Sequence, residues 1–190
     1  MKQAIMALST AVLMLLGAAS AHAITIKGVE IPDALQAGDT ELVLNGAGIR
    51  SRWFIDLYIG ALYVPEPAID PAEIIAADSH QGLRLHIISN RITSERMINS
   101  TREGFEKVLG EELGSLESEI EQFLAFFAAE IRDGDIFDLV YVPGEGVQVF
   151  KNQTLQGTVA GHGFKQALFG IWLSDSPAQE DLKARMLGQR

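Results

Sequence analysis

The sequence predicts an α+β domain in which helices cover one face of an antiparallel sheet, and three observations carry that prediction. Period-2 and period-3.6 hydrophobic patterns occupy separate parts of the chain instead of alternating, which argues against a βαβ repeat. Three consecutive strand-like runs, from Ile136 to Val159, are joined by turns too short for a parallel crossover. Helical stripes follow them and close the chain.

In order, the strand-like segments are Ile24 to Ile31, Glu41 to Ile49, Trp53 to Val64 and Leu83 to Asn90. A helix follows: Thr93 supplies the cap, Glu95 sits in the positively polarised first turn, and Met97, Thr101, Phe105 and Val108 form one stripe ending near Gly110. Ser115 is placed to cap a second helix, whose Leu116, Ile120, Phe123, Leu124, Phe127 and Ile131 share a face until Asp133-Gly134 stops it. The meander comes next: Ile136 to Val142, a Pro143-Gly144-Glu145-Gly146 turn, Val147 to Phe150, a Lys151-Asn152 turn, and Thr154 to Val159. Phe164, Ala167, Leu168 and Ile171 mark a third helix. Ser176-Pro177-Ala178-Gln179 reads as the start of a last one, with a serine cap, proline at its first position and glutamine at the capping-box position.

Composition excludes several function classes. The 190 residues suit one domain and include no cysteine, so disulfide scaffolds, thiol nucleophiles and thiolate metal sites are out. A net charge of -10 opposes nucleic-acid binding. Met1-Lys2, the apolar run Ala4 to Leu16 and Ala21-His22-Ala23 have the form of a secretory signal peptide, residues 1–23, cut after Ala23. The run is too short to span a membrane, and no later segment is apolar enough to do so. Cleavage removes one lysine and no acid, leaving an exported, periplasmic domain of residues 24–190 with charge -11.

Familiar chemical motifs are mostly missing. Gly46-Ala47-Gly48 opens like a dinucleotide fingerprint, but Ser51 holds the third glycine position and a strand pattern follows. His80, His86 and His162 are scattered without metal-ligand spacing, and Glu117, Glu119 and Glu121 read as a solvated helix face. No cofactor is expected.

One segment stands out, from Leu44 to Val64. In a straight strand Trp53, Ile55, Leu57, Ile59, Ala61 and Tyr63 share an apolar face, and Arg50, Arg52, Phe54, Asp56, Tyr58 and Leu62 share a mixed one. Guanidinium groups and a phenol on a partly apolar face suit an anionic, greasy ligand, because arginine offers a bidentate fork and tyrosine a directional hydroxyl. The alternative is a surface strand whose arginines pair with the chain's abundant acids.

Here the sequence resembles the chalcone isomerase-like superfamily, in its exported bacterial branch. The resemblance spans Gly46 to Arg50, Leu57-Tyr58 to Tyr63-Val64, Arg102-Glu103-Gly104-Phe105, and Leu168 to Leu173 through Pro177 to Leu187-Gly188. It implies an open-faced β-sandwich, with a cleft between a large antiparallel sheet and a helical layer, shared by enzymes that cyclise chalcones and by non-catalytic fatty-acid binders. It also implies that Arg50 holds a ligand's phenolate or carboxylate. Tyr58 stands where the enzymes have threonine and the fatty-acid binders tyrosine. Thr93 and Ser100 fall where the enzymes have tyrosine and asparagine, and neither reproduces those contacts.

The expectation is a non-catalytic protein holding a fatty acid or similar amphipathic anion through Arg50, Tyr58, Arg52 and Tyr63. The alternatives are a cofactor-independent intramolecular lyase and a protein-interaction domain with a closed cleft. Geometry poses a problem: eight residues of straight strand separate Arg50 from Tyr58 by roughly 26 Å, and no turn residue is evident between them. If the strand is straight, Arg52, Tyr63 or Arg84 must complete the headgroup site.

Overall fold

A computed structural model describes residues 23–189, so the expected leader lies, apart from Ala23, outside the described residues. The first expected strand is a small hairpin, β1 (Ile24–Ile26) with β2 (Val29–Ile31), because Lys27 and Gly28 both adopt positive φ and reverse the chain. The main sheet has seven strands: β3 (Ala34–Ala37), β4 (Thr40–Arg52), β5 (Ile55–Val64), β6 (Gln81–Ile87), β7 (Ile136–Val142), β8 (Gly146–Lys151) and β9 (Thr154–Val159). They lie in sequence order and every neighbouring pair is antiparallel. The expected α+β architecture is therefore observed as a large curled sheet with helices.

Helices occupy two connections and the C-terminus. α1 (Pro71–Ala76), absent from the sequence reading, is capped by Asp70, which accepts from Ala72 N and Glu73 N, with Pro71 in its first turn. The β6–β7 connection carries α2 (Ser94–Leu109), a 3-10 segment (Gly110–Leu116) and α3 (Glu117–Ala125). Thr93 caps α2 as expected, accepting from Arg96 N. Ser115 does not cap α3: it lies within the 3-10 segment, its hydroxyl donating to Glu112 O. α3 also stops six residues short of Ile131. Its end tightens into i→i+3 bonds at Phe126, Phe127 and Ala128, and the Ser94 hydroxyl takes the carbonyl of Phe127, so the chain turns back to the sheet. α4 (His162–Leu173) and α5 (Glu180–Met186) end the fold.

Two cores result. On the helix side of β5 and β6, Leu62, Val64, Leu83 and Leu85 pack against Phe105, Phe123, Phe164 and Leu168. The rings of Phe105, Phe123, Phe127, Phe137 and Phe164 form a chain of contacts at 5.0–6.1 Å between centroids. The opposite face of the sheet is not bare at this end. β3 curls over it, and Ile31, Leu35 and Leu42 bury Ile59, Ala61, Tyr63 and Val140. Lys165, fully buried on α4, donates to the carbonyls of Ile74, Ile75 and Ala77 and so ties α4 to the end of α1.

The Gly46-Ala47-Gly48 segment takes its sequence from packing. α5 lies directly on the backbone of β4: a Cβ on Gly46 would sit 2.1 Å from Arg185 O, and one on Gly48 would sit 2.7 Å from Arg185 Cβ. Neither position has room for a side chain. Gly46→Ala is therefore expected to destabilise the fold by about 2 kcal/mol or more in urea unfolding, since the obstruction is backbone and cannot rotate away.

Candidate ligand site between sheet and helices

The chain turns where the sequence offered no turn. Arg52 and Ile55 are cross-strand partners, leaving Trp53 and Phe54 as a two-residue loop with φ of 51° and 64°. Positive φ at both central positions is the signature of the tight hairpin turn that Asn-Gly normally supplies. The consequence is direct: Arg50 and Tyr58 are Cα partners across β4 and β5. The straight-strand separation gives way to a cross-strand spacing of about 5 Å.

A bulge then sorts the side chains. Arg50 pairs with Tyr58 but Ser51 with Asp56, so Leu57 is the extra residue on β5. The single apolar face expected from Trp53 to Tyr63 is thereby split. Ile55 and Leu57 join Tyr58 on the helix side, whereas Ile59, Ala61 and Tyr63 face the other core.

Between the hairpin, α2 and the C-terminal end of α4 lies a cavity of about 510 Å³. Leu57, Leu85, Ile92, Met97 and Ile171 give it an apolar wall, and Tyr58 and Trp172 a polar one. Arg50, Arg52, Arg91 and Arg96 border it, with Glu103 as the acid among the lining residues. A smaller lobe of about 210 Å³ adjoins it, lined by Ser100 and Lys107 among others.

Arg50 and Tyr58 are each held in place by hydrogen-bond partners. Gln179 Oε1 accepts from Arg50 Nη1 at 3.0 Å and from Ser51 N at 2.9 Å, and Arg50 Nη1 also donates to Ser51 O at 2.8 Å. One edge of the guanidinium is thus anchored, and the remainder of its fork borders Tyr58 and the cavity. The indole N–H of Trp172 donates to the Tyr58 hydroxyl at 2.9 Å, which leaves that hydroxyl its own proton to give. Burial pushes the Tyr58 phenol above its ordinary value, opposed by the Trp172 hydrogen bond and by the charge of Arg50. Tyr58 therefore serves as a neutral donor.

Of the four residues expected at the site, the structure brings three together: Arg50, Arg52 and Tyr58 line the cavity. Tyr63 does not join them. It points into the opposite core, where its hydroxyl donates to Pro32 O at 2.8 Å. Arg84, the other replacement considered, makes a bidentate pair with Asp138 at 2.6 and 2.9 Å. Sequence reasoning missed Trp172, Gln179, Arg91 and Arg96. The Ser176-to-Gln179 cap was also misplaced, because α5 begins at Glu180 and the Gln179 side chain is engaged by β4. Among the described residues, no group of three His, Asp or Glu side chains is placed to hold a metal ion.

The sequence matches the chalcone isomerase-like family profile over residues 23–188. The chain belongs to the chalcone isomerase-like family. Among solved structures, the fatty-acid binding protein AtFAP1 of Arabidopsis thaliana superposes with a TM-score of 0.69 at 16% identity, covering 87% of this chain and 95% of that one. At that identity the likeness establishes a common fold. A search of curated proteins found no significant match. Within the family fold, the cavity described here lies between sheet and helices.

The Trp172–Tyr58 bond yields a prediction. Trp172→Phe and Tyr58→Phe should each cost about 1–2 kcal/mol in urea unfolding, and the double variant less than their sum by about 1 kcal/mol, because both remove one buried hydrogen bond.

Proposed function

We propose that this chalcone isomerase-like protein is a non-catalytic binder of a fatty acid or similar amphipathic anion, held in the cavity between sheet and helices. The observation that carries the reading is the Arg50–Tyr58 cross-strand pair at the edge of an apolar pocket. Arg50 offers a charge-assisted fork and Tyr58 a neutral O–H, both directed by anchoring partners, so a carboxylate meets two kinds of donor in one place. Behind them Leu57, Leu85, Ile92 and Met97 take the apolar chain out of water. Each methylene buried contributes about 0.8 kcal/mol, so the chain supplies most of the affinity and the head its orientation.

The residues at the enzyme positions support binding over turnover. Thr93 has its hydroxyl engaged as the α2 cap, and Ser100 at the cavity edge lacks an amide. AtFAP1, which shares this fold, is a fatty-acid binding protein, in agreement with this reading. We place the protein in the periplasm, on the strength of the leader-like residues 1–23.

Lipid extraction with intact-mass spectrometry of the protein purified from its host is the experiment. The expected result is a co-purifying long-chain acid and an N-terminus at Ile24. No bound lipid, together with no thermal shift on adding fatty acids, would overturn the binding reading; turnover of a chalcone lost in Arg50→Ala would replace it with catalysis. Given a bound acid, Arg50→Ala is expected to lower its affinity about tenfold, and Gln179→Leu by a smaller factor through loosened positioning. With Tyr58 raised above its ordinary value, the phenol stays neutral and affinity holds from about pH 6 to 9. Affinity then falls below about pH 5 as the ligand's carboxylate takes up its proton.

A further inference from the structure

The tip of the β4–β5 hairpin is built against every local preference. Trp53 is 82% exposed and Phe54 fully so, and both hold a positive φ that strains a bulky side chain and that glycine adopts freely. Ile55 beside them is also exposed. Nothing in the packing of the described residues demands aromatic rings at these two positions, since glycine or asparagine closes the same turn without strain. Trp53 and Ile55 also line the mouth of the cavity, so the exposed tip and the way into the site are one surface.

The charges around this tip differ in sign from the molecule as a whole. Arg52 precedes it, and Arg91 and Arg96 stand on the other side of the same cavity mouth, at the start of α2. Arg96 is oriented by donating to Arg91 O. The hairpin's acid, Asp56, is paired with Lys27 at 3.0 Å, and Glu95 is the remaining acid of that first turn of α2. Glu103 also lines the cavity, and of the acidic run that follows α2, Glu117 is paired with Arg102 at 3.6 Å. A surface that meets the tip therefore meets chiefly cations and aromatics.

We propose that the Trp53-Phe54 tip docks on an anionic lipid bilayer and brings the cavity mouth to the interface. Aromatic rings suit the boundary between headgroups and acyl chains, and the flanking arginines suit anionic headgroups. Docking follows from the tip alone and does not require the cavity ligand to be a fatty acid.

The test compares the protein as its host makes it with Phe54→Gly, a residue outside the cavity lining whose replacement relieves strain. Partition is measured into vesicles of phosphatidylcholine alone and of phosphatidylcholine mixed with phosphatidylglycerol. The expected result is binding to the mixed vesicles that high salt abolishes, with a blue shift of Trp53 emission over the constant signal of buried Trp172. Phe54→Gly should melt at a higher temperature and yet partition about tenfold less. Its affinity for a soluble amphiphile in vesicle-free buffer should be unchanged, which separates failure of docking from failure of the ligand reading. No partition into either vesicle, or undiminished partition of Phe54→Gly, overturns the proposal. So does a protein cross-linked through Trp53 in the absence of any vesicle binding, since the tip would then serve a protein partner.

Discussion

The pairing of Arg50 with Tyr58 is the constraint on which the site depends, and it is a backbone event before it is a chemical one. Two residues at positive φ return the chain on itself, and the bulge at Leu57 then sets which side chains face the helices. Without the turn, cation and phenol stand on the same strand some eight residues apart. Without the bulge, Tyr58 and Leu57 face opposite layers and the headgroup donors lose their apolar neighbour. A second bulge at Asn45 shifts β4 by one residue in the same way. The Asn45 side chain uses that freedom to bond Ala68 and Met186, joining the β5–α1 connection to the end of α5.

α5 then acts as a strut along β4. Its C-terminal end is fixed by Asn45 and by the side-chain-free surface of Gly46, and the residue at its N-terminal boundary, Gln179, fixes Arg50. The guanidinium is thus aimed by a segment nearly 130 residues away in sequence. This arrangement also resolves the electrostatic difficulty of an acidic protein with an anionic ligand. Arg50, Arg52, Arg91 and Arg96 gather around one mouth, and among the described residues that line it Glu103 alone is acidic, so the local field at the cavity is positive although the chain total is -10.

What was legible in the sequence follows from where local rules hold. The meander, the stripe of α2 and its Thr93 cap, and the helical layer on one face were written in periodicity and turn chemistry, and they stand as expected. α1 was legible too, since Asp70-Pro71 is a cap followed by a first-turn proline, but a six-residue helix with one buried side chain has no stripe to announce it. The end of α3 was not legible, because it is decided by the distant hydroxyl of Ser94. For the site, Arg50, Arg52 and Tyr58 could be chosen from residue chemistry. The failure of Tyr63 came from treating β5 as an uninterrupted alternation that a one-residue bulge breaks. Trp172 and Gln179 act through contacts more than a hundred residues apart, which no local pattern encodes.

The segment where sequence reasoning failed most is therefore informative in itself. Between Arg50 and Tyr58 the chain places aromatics in a glycine turn, an extra residue in a strand, and a phenol in a buried position that penalises its ionised form. The two aromatics at positive φ cost stability, whereas the other tight turn, Lys151 to Thr154, gives the first of its two positive-φ positions to Asn152, which tolerates that conformation better, and the second to Gln153. Costs of this kind persist where the surrounding structure over-determines them, and here it does: β5 is locked between β4 and β6, Tyr58 is held by Trp172, and Arg50 by Gln179. A hairpin stabilised so thoroughly at its base can carry an unfavourable tip. The physical logic runs from the base outward, with packing that fixes the donors also supplying the stability that the exposed Trp53-Phe54 turn gives up.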